Sequence, residues 1–174
     1  MKRRKNTRLE NVMIVIGVIV CLICTVGGYM IRQTYLFGET KDGFIIRQRV
    51  NAGTPVTLAY HHSVQKTMVY EYLEVNRLED GFILKSTKYQ SLGAGLPFTP
   101  ESGTLRREGE WFIIDDINKP YPTLSIRNGV TNEGHITIGD TDYALSDVVP
   151  LGKELYLYVA PLYKSFYLKK EIRS

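Results

Sequence analysis

Residues 55–89 decide the fold, and they read PVTLAYHHSVQKTMVYEYLEVNRLEDGFILKSTKY. Apolar residues recur at every second position within residues 55–64, 68–76 and 81–89, which is the period of a half-buried strand. Asp80 and Gly81 supply a turn signal between the last two of these segments. The stretch therefore predicts three consecutive antiparallel strands that share one apolar face.

The same pattern continues on both sides of this stretch. Further segments with strand periodicity are residues 43–50, 110–115, 123–127, 134–138, 143–145 and 154–159. No part of this region sustains a helical apolar stripe over ten residues. About nine short strands predict an all-β domain, either an antiparallel β-sandwich or a barrel. We expect residues 32–174 to form that single domain.

A different kind of segment precedes the strands. Residues 12–31, VMIVIGVIVCLICTVGGYMI, carry no charge, and a helix of this length spans the roughly 30 Å hydrocarbon core of a bilayer. Basic residues before the span predict that residues 1–11 are a cytoplasmic tail and that the domain lies on the extracytoplasmic side of the cell membrane. The alternative for the apolar segment is a cleavable signal peptide.

The distribution of charge argues against nucleic-acid binding. Five of the 22 basic residues and one of the 18 acidic residues lie in residues 1–31, which leaves 17 of each sign in the rest of the chain. The domain is therefore neutral, and its composition shows no preference for a polyanion.

The three central segments also predict a row of polar side chains on the apolar face. A register that keeps the apolar faces together pairs Val64 with Val69 and Val75 with Phe82. That register places His62 opposite Glu71, and Glu71 opposite Ser86. Buried polar groups require partners, so the row is either a satisfied polar cluster beside the core or a ligand-binding site.

Two motifs carry a resemblance to a known family. They are His62-Ser63-Val64 with Glu71 downstream, and Gly93-Ala94-Gly95-Leu96-Pro97. Together they resemble a bacterial family of unknown function, whose small anchored or secreted members are often encoded beside TRAP transporters of the TAXI type. The resemblance covers about residues 54–159, and it implies a partnership with solute import.

The residues of these motifs complete a set of candidate ligand-binding or polar-cluster positions: His62, Ser63, Glu71, Ser86, Gly93 and Gly95. The two glycines have two interpretations. They either supply backbone angles that other residues cannot adopt, or present bare amides to a small anion.

Catalytic and metal chemistry have weaker support. His61 and His62 are neighbours on a strand and point to opposite faces, so they do not chelate one ion together, and we predict no metal site and no cofactor. The predicted row has the acid between His62 and Ser86, which is not the order of a hydrolase relay, and Ser63 leaves on the face opposite His62. We predict no catalytic residue and expect a non-enzymatic protein.

Aromatic residues indicate a possible interaction surface. Tyr70, Tyr72, Tyr156 and Tyr158 fall on the less apolar faces of their strands, which predicts either an exposed aromatic patch or scattered half-buried tyrosines. We interpret Trp111, within an apolar run, as a core residue.

Three functional hypotheses follow from the sequence. The first is an accessory interaction module whose partners are the bilayer and, as the family resemblance implies, the membrane or solute-binding subunit of a TRAP transporter. The second is a small-ligand receptor domain that uses His62, Glu71 and residues 93–97. The third and most remote is a hydrolase.

Overall fold

The structure is a computed structural model that describes residues 7–61, 67–90, 103–129 and 133–166. In these residues, one long helix precedes twelve strands, a short helix and a 3-10 helix. The strands, in chain order, are β1 Thr34–Thr40, β2 Gly43–Arg49, β3 Pro55–His61, β4 Met68–Val75, β5 Phe82–Tyr89, β6 Thr104–Glu108, β7 Trp111–Asp115, β8 Lys119–Tyr121, β9 Thr123–Arg127, β10 His135–Ile138, β11 Thr141–Ala144 and β12 Glu154–Pro161.

The N-terminal helix, α1, extends over Thr7–Arg32. Its segment Leu9–Arg32 has a mean hydropathy of 2.6 and none of it is buried by the rest of the protein. An apolar helix with no protein around it suits the interior of a bilayer, where helix formation satisfies its backbone polar groups. A single such helix fits a membrane anchor or a signal sequence.

The strands form two antiparallel sheets. The small sheet has the order β2-β1-β12-β9, and the large sheet has the order β11-β10-β3-β4-β5-β7-β6, with β8 paired to β5. The short helix α2, Leu145–Val148, follows β11, and the 3-10 helix Leu162–Phe166 follows β12.

One apolar core joins the two sheets. It includes Leu36 and Leu157 from the small sheet, and Val56, Phe82 and Ile136 from the large sheet, all 0% or 1% exposed. Burial of side chains from both inner faces is the packing of a β-sandwich, which confirms the predicted all-β domain after an N-terminal helix.

The outer face of the small sheet carries an aromatic cluster, separate from the main core. Phe37 and Tyr158 stack with their ring centroids 5.5 Å apart, and the hydroxyl of Tyr158 donates to Glu39 Oε2 over 3.3 Å. Burial and the Glu39 carboxylate both raise the pKa of Tyr158. Of the two alternatives for the tyrosines, an exposed patch does not apply to Tyr158, because its ring is buried.

The strand predictions are correct for the nine segments that the pattern marks, with changes at their ends. Leu145 begins helix α2 and does not end a strand, and the end of predicted segment 55–64 lies outside the described residues. The structure adds β1, β6 and β8.

Candidate functional site

Glu71 is an acidic residue on the inner, apolar face of the large sheet. Its register partners are Leu58 on β3 and Thr87 on β5. The hydroxyl of Tyr60 donates a hydrogen bond of 2.9 Å to Glu71 Oε1. Tyr60 packs against both the main core and a smaller cluster of Val69, Tyr89 and Ile114. The pair therefore places one carboxylate and one phenol among apolar side chains.

Burial shifts the titration of both groups in this pair. It raises the pKa of the Glu71 carboxyl, and the hydrogen bond from Tyr60 only partly offsets that effect. Burial first, and then the adjacent Glu71 charge and the hydrogen bond to Glu71, raise the pKa of the Tyr60 hydroxyl. Such a carboxyl can hold a proton or accept a hydrogen bond from a polar ligand.

The predicted partners of Glu71 are wrong on both sides. The β3–β4 register differs by four residues from the predicted one, so Leu58 and not His62 lies opposite Glu71. A shift of four residues keeps the same faces together, which is why Tyr60 still points to the same side as Glu71. His62 itself lies outside the described residues.

A register shift on β5 explains the second error. Val75 pairs with Phe82 as predicted, but the register shifts between Tyr72 and Leu73. One extra residue on β5 exchanges the two faces beyond that point. As a result Ser86 pairs with Tyr72 on the outer face, and Thr87, only 8% exposed, takes the inner position beside Glu71.

The outer face of the large sheet carries an aromatic patch, which we define as Tyr70, Tyr72, Lys88 and Trp111. The rings of Tyr70 and Trp111 lie 5.7 Å apart, and the Lys88 ammonium lies 4.4 Å from the centre of the Trp111 ring. Tyr72 stacks beside Tyr70 at 6.4 Å and is 37% exposed. The interpretation of Trp111 as a core residue is wrong, because Phe112 and Ile114 take the inner positions of β7.

A shallow depression adjoins the aromatic patch. It has a volume of about 360 Å³ and is lined by Tyr72, Ser86, Lys88, Arg106, Glu108, Ile113 and Asp115. Arg106 forms ion pairs with both Glu108 and Asp115. Aromatic rings together with paired charges are typical of protein-interaction surfaces, where Tyr, Trp and Arg are enriched.

The structure separates the described candidate residues. Glu71 faces the core and Ser86 faces outward, so they do not share a site. His62, Ser63, Gly93 and Gly95 lie outside the described residues, as do all five residues of the Gly93–Pro97 motif. Sequence reasoning missed Trp111 and Lys88 as surface partners, although the predicted outward positions of Tyr70 and Tyr72 marked the face on which they lie.

Fold and site together define a β-sandwich that follows an apolar N-terminal helix and bears an aromatic patch on its large sheet. The chain matches the family described as Domain of unknown function (DUF1850) over residues 56–145. This match covers more than half of the chain, and the protein belongs to that family. No curated protein matches the chain. No solved structure matches it either.

The family match coincides with the large sheet. Residues 56–145 include nearly all of β3 to β11, and hence every strand of the large sheet. The strands β1, β2 and β12 of the small sheet lie outside the match. Both the Tyr60–Glu71 pair and the aromatic patch therefore lie within the residues that match the family.

Proposed function

We propose that this protein is a membrane-anchored, non-enzymatic accessory module that docks on a solute transporter through the outer face of its large sheet. The aromatic patch carries the proposal, because Tyr70, Tyr72 and Trp111 present rigid rings beside the Lys88 cation. Large side chains of this kind supply most of the binding energy in protein interfaces.

The anchor supports a partner in the same membrane. Helix α1 is long and apolar enough to cross a bilayer, and basic residues 2–5 favour a cytoplasmic N-terminus and an extracytoplasmic domain. Confinement to a membrane raises the local concentration of the domain, so a modest docking surface is sufficient. The resemblance to proteins encoded beside TAXI-type TRAP transporters suggests the membrane or solute-binding subunit of such a transporter as the partner.

Co-purification from native membranes tests this proposal. The full chain with an affinity tag should capture a transporter subunit, and Tyr72→Ala should reduce the capture about tenfold or more, as expected for an aromatic anchor residue. Phe44→Ala is the matched control, because Phe44 is also 37% exposed but lies on the small sheet. Equal capture by both variants and the wild type would place the contact away from the aromatic patch.

A small-ligand receptor is the second candidate function. The Tyr60–Glu71 pair favours it, because it leaves a titratable group with a raised pKa on an otherwise apolar face. Glu71→Gln keeps the size and an acceptor for Tyr60, so the variant should fold and capture its partner normally. Loss of solute uptake by cells that carry this variant would support a receptor role, whereas normal uptake would contradict it.

A further inference from the structure

The turn between β4 and β5, residues 76–81, lies beside the end of helix α1. Only Gln33 separates α1 from β1. The carboxylate of Glu79 in this turn accepts hydrogen bonds from the hydroxyl of Thr34, the first residue of β1, and over 3.1 Å from the amide of Ala52. The turn is thus joined to the point where the chain leaves the helix.

The single-residue connection between helix α1 and the domain, Gln33, also forms a hydrogen bond with the 3-10 helix. The amide of Leu162 donates to the carbonyl of Gln33 over 2.9 Å, so the 3-10 helix also begins at this point. Tyr163, the next residue, is 37% exposed. These contacts bring one end of the sandwich to the end of the apolar helix.

The turn holds an apolar side chain away from the protein. The side-chain amide of Asn76 donates a hydrogen bond of 2.7 Å to Asp80 Oδ1, and the backbone amide of Asp80 donates one of 3.1 Å to Asn76 Oδ1. Glu79 adopts a positive φ of 54° and donates its amide to the carbonyl of Asn76. Leu78, at the tip, is 80% exposed. Its exposure is therefore imposed by the bonded geometry of the turn.

We propose that Leu78 inserts into the membrane interface and that this end of the sandwich rests on the bilayer. Leu78 adjoins Glu79, and Glu79 is bonded to the strand that begins one residue after the helix. A leucine held there reaches the boundary between headgroups and acyl chains, where apolar side chains are stabilised. Arg77 beside it is exposed and suits the phosphate level, and the Tyr163 ring suits the interface.

The inference rests on the anchor in the proposed function, but not on the transporter or on the side of the membrane. A matched control lies at the other end of the sandwich. Leu151 is also a turn leucine and is 64% exposed. It lies shortly before the start of β12, whereas Pro161, at the other end of the same strand, pairs with Thr34 beside helix α1. Eight strand residues separate the two ends by about 23 Å.

Quenching by brominated lipids tests the inference on the full chain. Cys21 and Cys24 are first replaced by serine, and single cysteines are then introduced as Leu78→Cys, Leu151→Cys or Tyr29→Cys and labelled with bimane. Each protein is reconstituted in phosphatidylcholine vesicles that contain a lipid brominated near the glycerol end of its acyl chain. The label at position 78 should be quenched at least about twofold more than the label at position 151, as a group at the headgroup–acyl boundary is.

The label at position 29, in the last turns of α1, distinguishes the two ways of failing. Strong quenching at position 29 with equal, weak quenching at positions 78 and 151 would overturn the contact of Leu78 while retaining the anchor. Absence of quenching at position 29 would overturn the membrane anchor and, with it, the inference.

Discussion

The hydrogen bond between Tyr60 and Glu71 joins diagonal neighbours on two strands. Tyr60 pairs with Val69, and Glu71 pairs with Leu58, so each side chain reaches across to the next inward position. Diagonal pairs of this kind lie within reach of long and aromatic side chains. The contact therefore needs no third residue, and it accounts for a carboxylate on an apolar face.

A double-mutant cycle should show that the two residues stabilise each other. Tyr60→Phe deprives a partly buried carboxylate of a donor and should lower the free energy of unfolding by about 1–2 kcal/mol. Glu71→Leu leaves the Tyr60 hydroxyl without this acceptor and should cost a similar amount. The double variant should be more stable than the sum of the two losses implies, by about 1 kcal/mol or more. Denaturant unfolding in detergent, followed by the fluorescence of Trp111, the single tryptophan, measures this coupling.

Additive losses in that cycle would mean that the two side chains do not interact in solution. Glu71→Gln serves as the control, because its amide oxygen still accepts from Tyr60. That variant should stay within about 1 kcal/mol of the wild type.

The same pair predicts a pH dependence of stability. The pKa of Glu71 is raised above its ordinary 4.5 in the folded protein, so the folded state holds this proton more tightly than the unfolded state does. The resulting stabilisation is complete below pH 4.5 and is lost as the pH rises through the folded pKa. Tyr60→Phe removes the hydrogen bond that favours the charged form of Glu71, so the pKa of Glu71 should rise further. The loss of stability with rising pH should then occur at a higher pH than in the wild type.

Carbon-13 NMR titration of the glutamate carboxyl groups measures that shift directly. Tyr158→Phe is the control, because its hydroxyl bonds to Glu39 on the other sheet and should leave the Glu71 titration unchanged. A Glu71 pKa that falls in Tyr60→Phe would contradict the assigned hydrogen bond.

At the scale of elements, the register shift in the β4–β5 hairpin decides which residues of β5 face the core. Beyond the shift, Thr87 points inward and Ser86 points outward. Thr87→Gln should therefore cost about 1–3 kcal/mol of unfolding free energy, because it enlarges a buried position and adds polar atoms. Ser86→Gln, the adjacent control, should stay within about 0.5 kcal/mol of the wild type. The reverse order of costs in denaturant unfolding would show a hairpin without the shift.

The sequence predicts the alternation of inward and outward side chains along each strand well, but it does not predict the register shift between β4 and β5. Val69, Leu73 and Val75 alternate inward as their pattern indicates, and the inward position of Glu71 follows from the same period. One extra residue on β5 leaves no mark in composition, because Lys85, Ser86 and Thr87 are all polar. The β5 neighbour of Glu71, Thr87 in place of the predicted Ser86, therefore cannot be predicted from the pattern, whereas the inward position of Glu71 can.

Two of the strands that the pattern missed, β6 and β8, have physical reasons in their sequences. β6 is exposed at every residue and forms an edge of the large sheet, so it has no apolar face to reveal. β8 contains three residues, one of them Pro120, and proline usually argues against a strand.

In β7, Trp111 and Ile113 face outward while Phe112 and Ile114 face inward, and a continuous apolar run does not show which face is the core.

At the scale of the whole molecule, the proposed anchor predicts on which side of the membrane the domain lies. Basic residues lie before α1, and the domain follows it after one residue. A membrane-impermeant maleimide applied to intact cells should label Lys153→Cys and should not label Lys5→Cys. Lys153 is exposed and lies just before β12, so access within the fold does not limit its reaction. The opposite labelling pattern would place the domain in the cytoplasm.

In the proposed function, helix α1 contributes a membrane span and no specific contact with the transporter. Its apolar span is not buried by the described residues, and it contacts the domain at β12 and the 3-10 helix. Because the aromatic patch lies on the large sheet, replacement of residues 12–31 by an unrelated apolar span of equal length should preserve transporter capture within about twofold. The physical reason is that tethering requires a span and not a particular sequence. Capture by the swapped protein is compared with that of Tyr72→Ala at equal expression. Loss of capture in the swap, with capture retained in Tyr72→Ala, would mean that the partner is recognised within the bilayer.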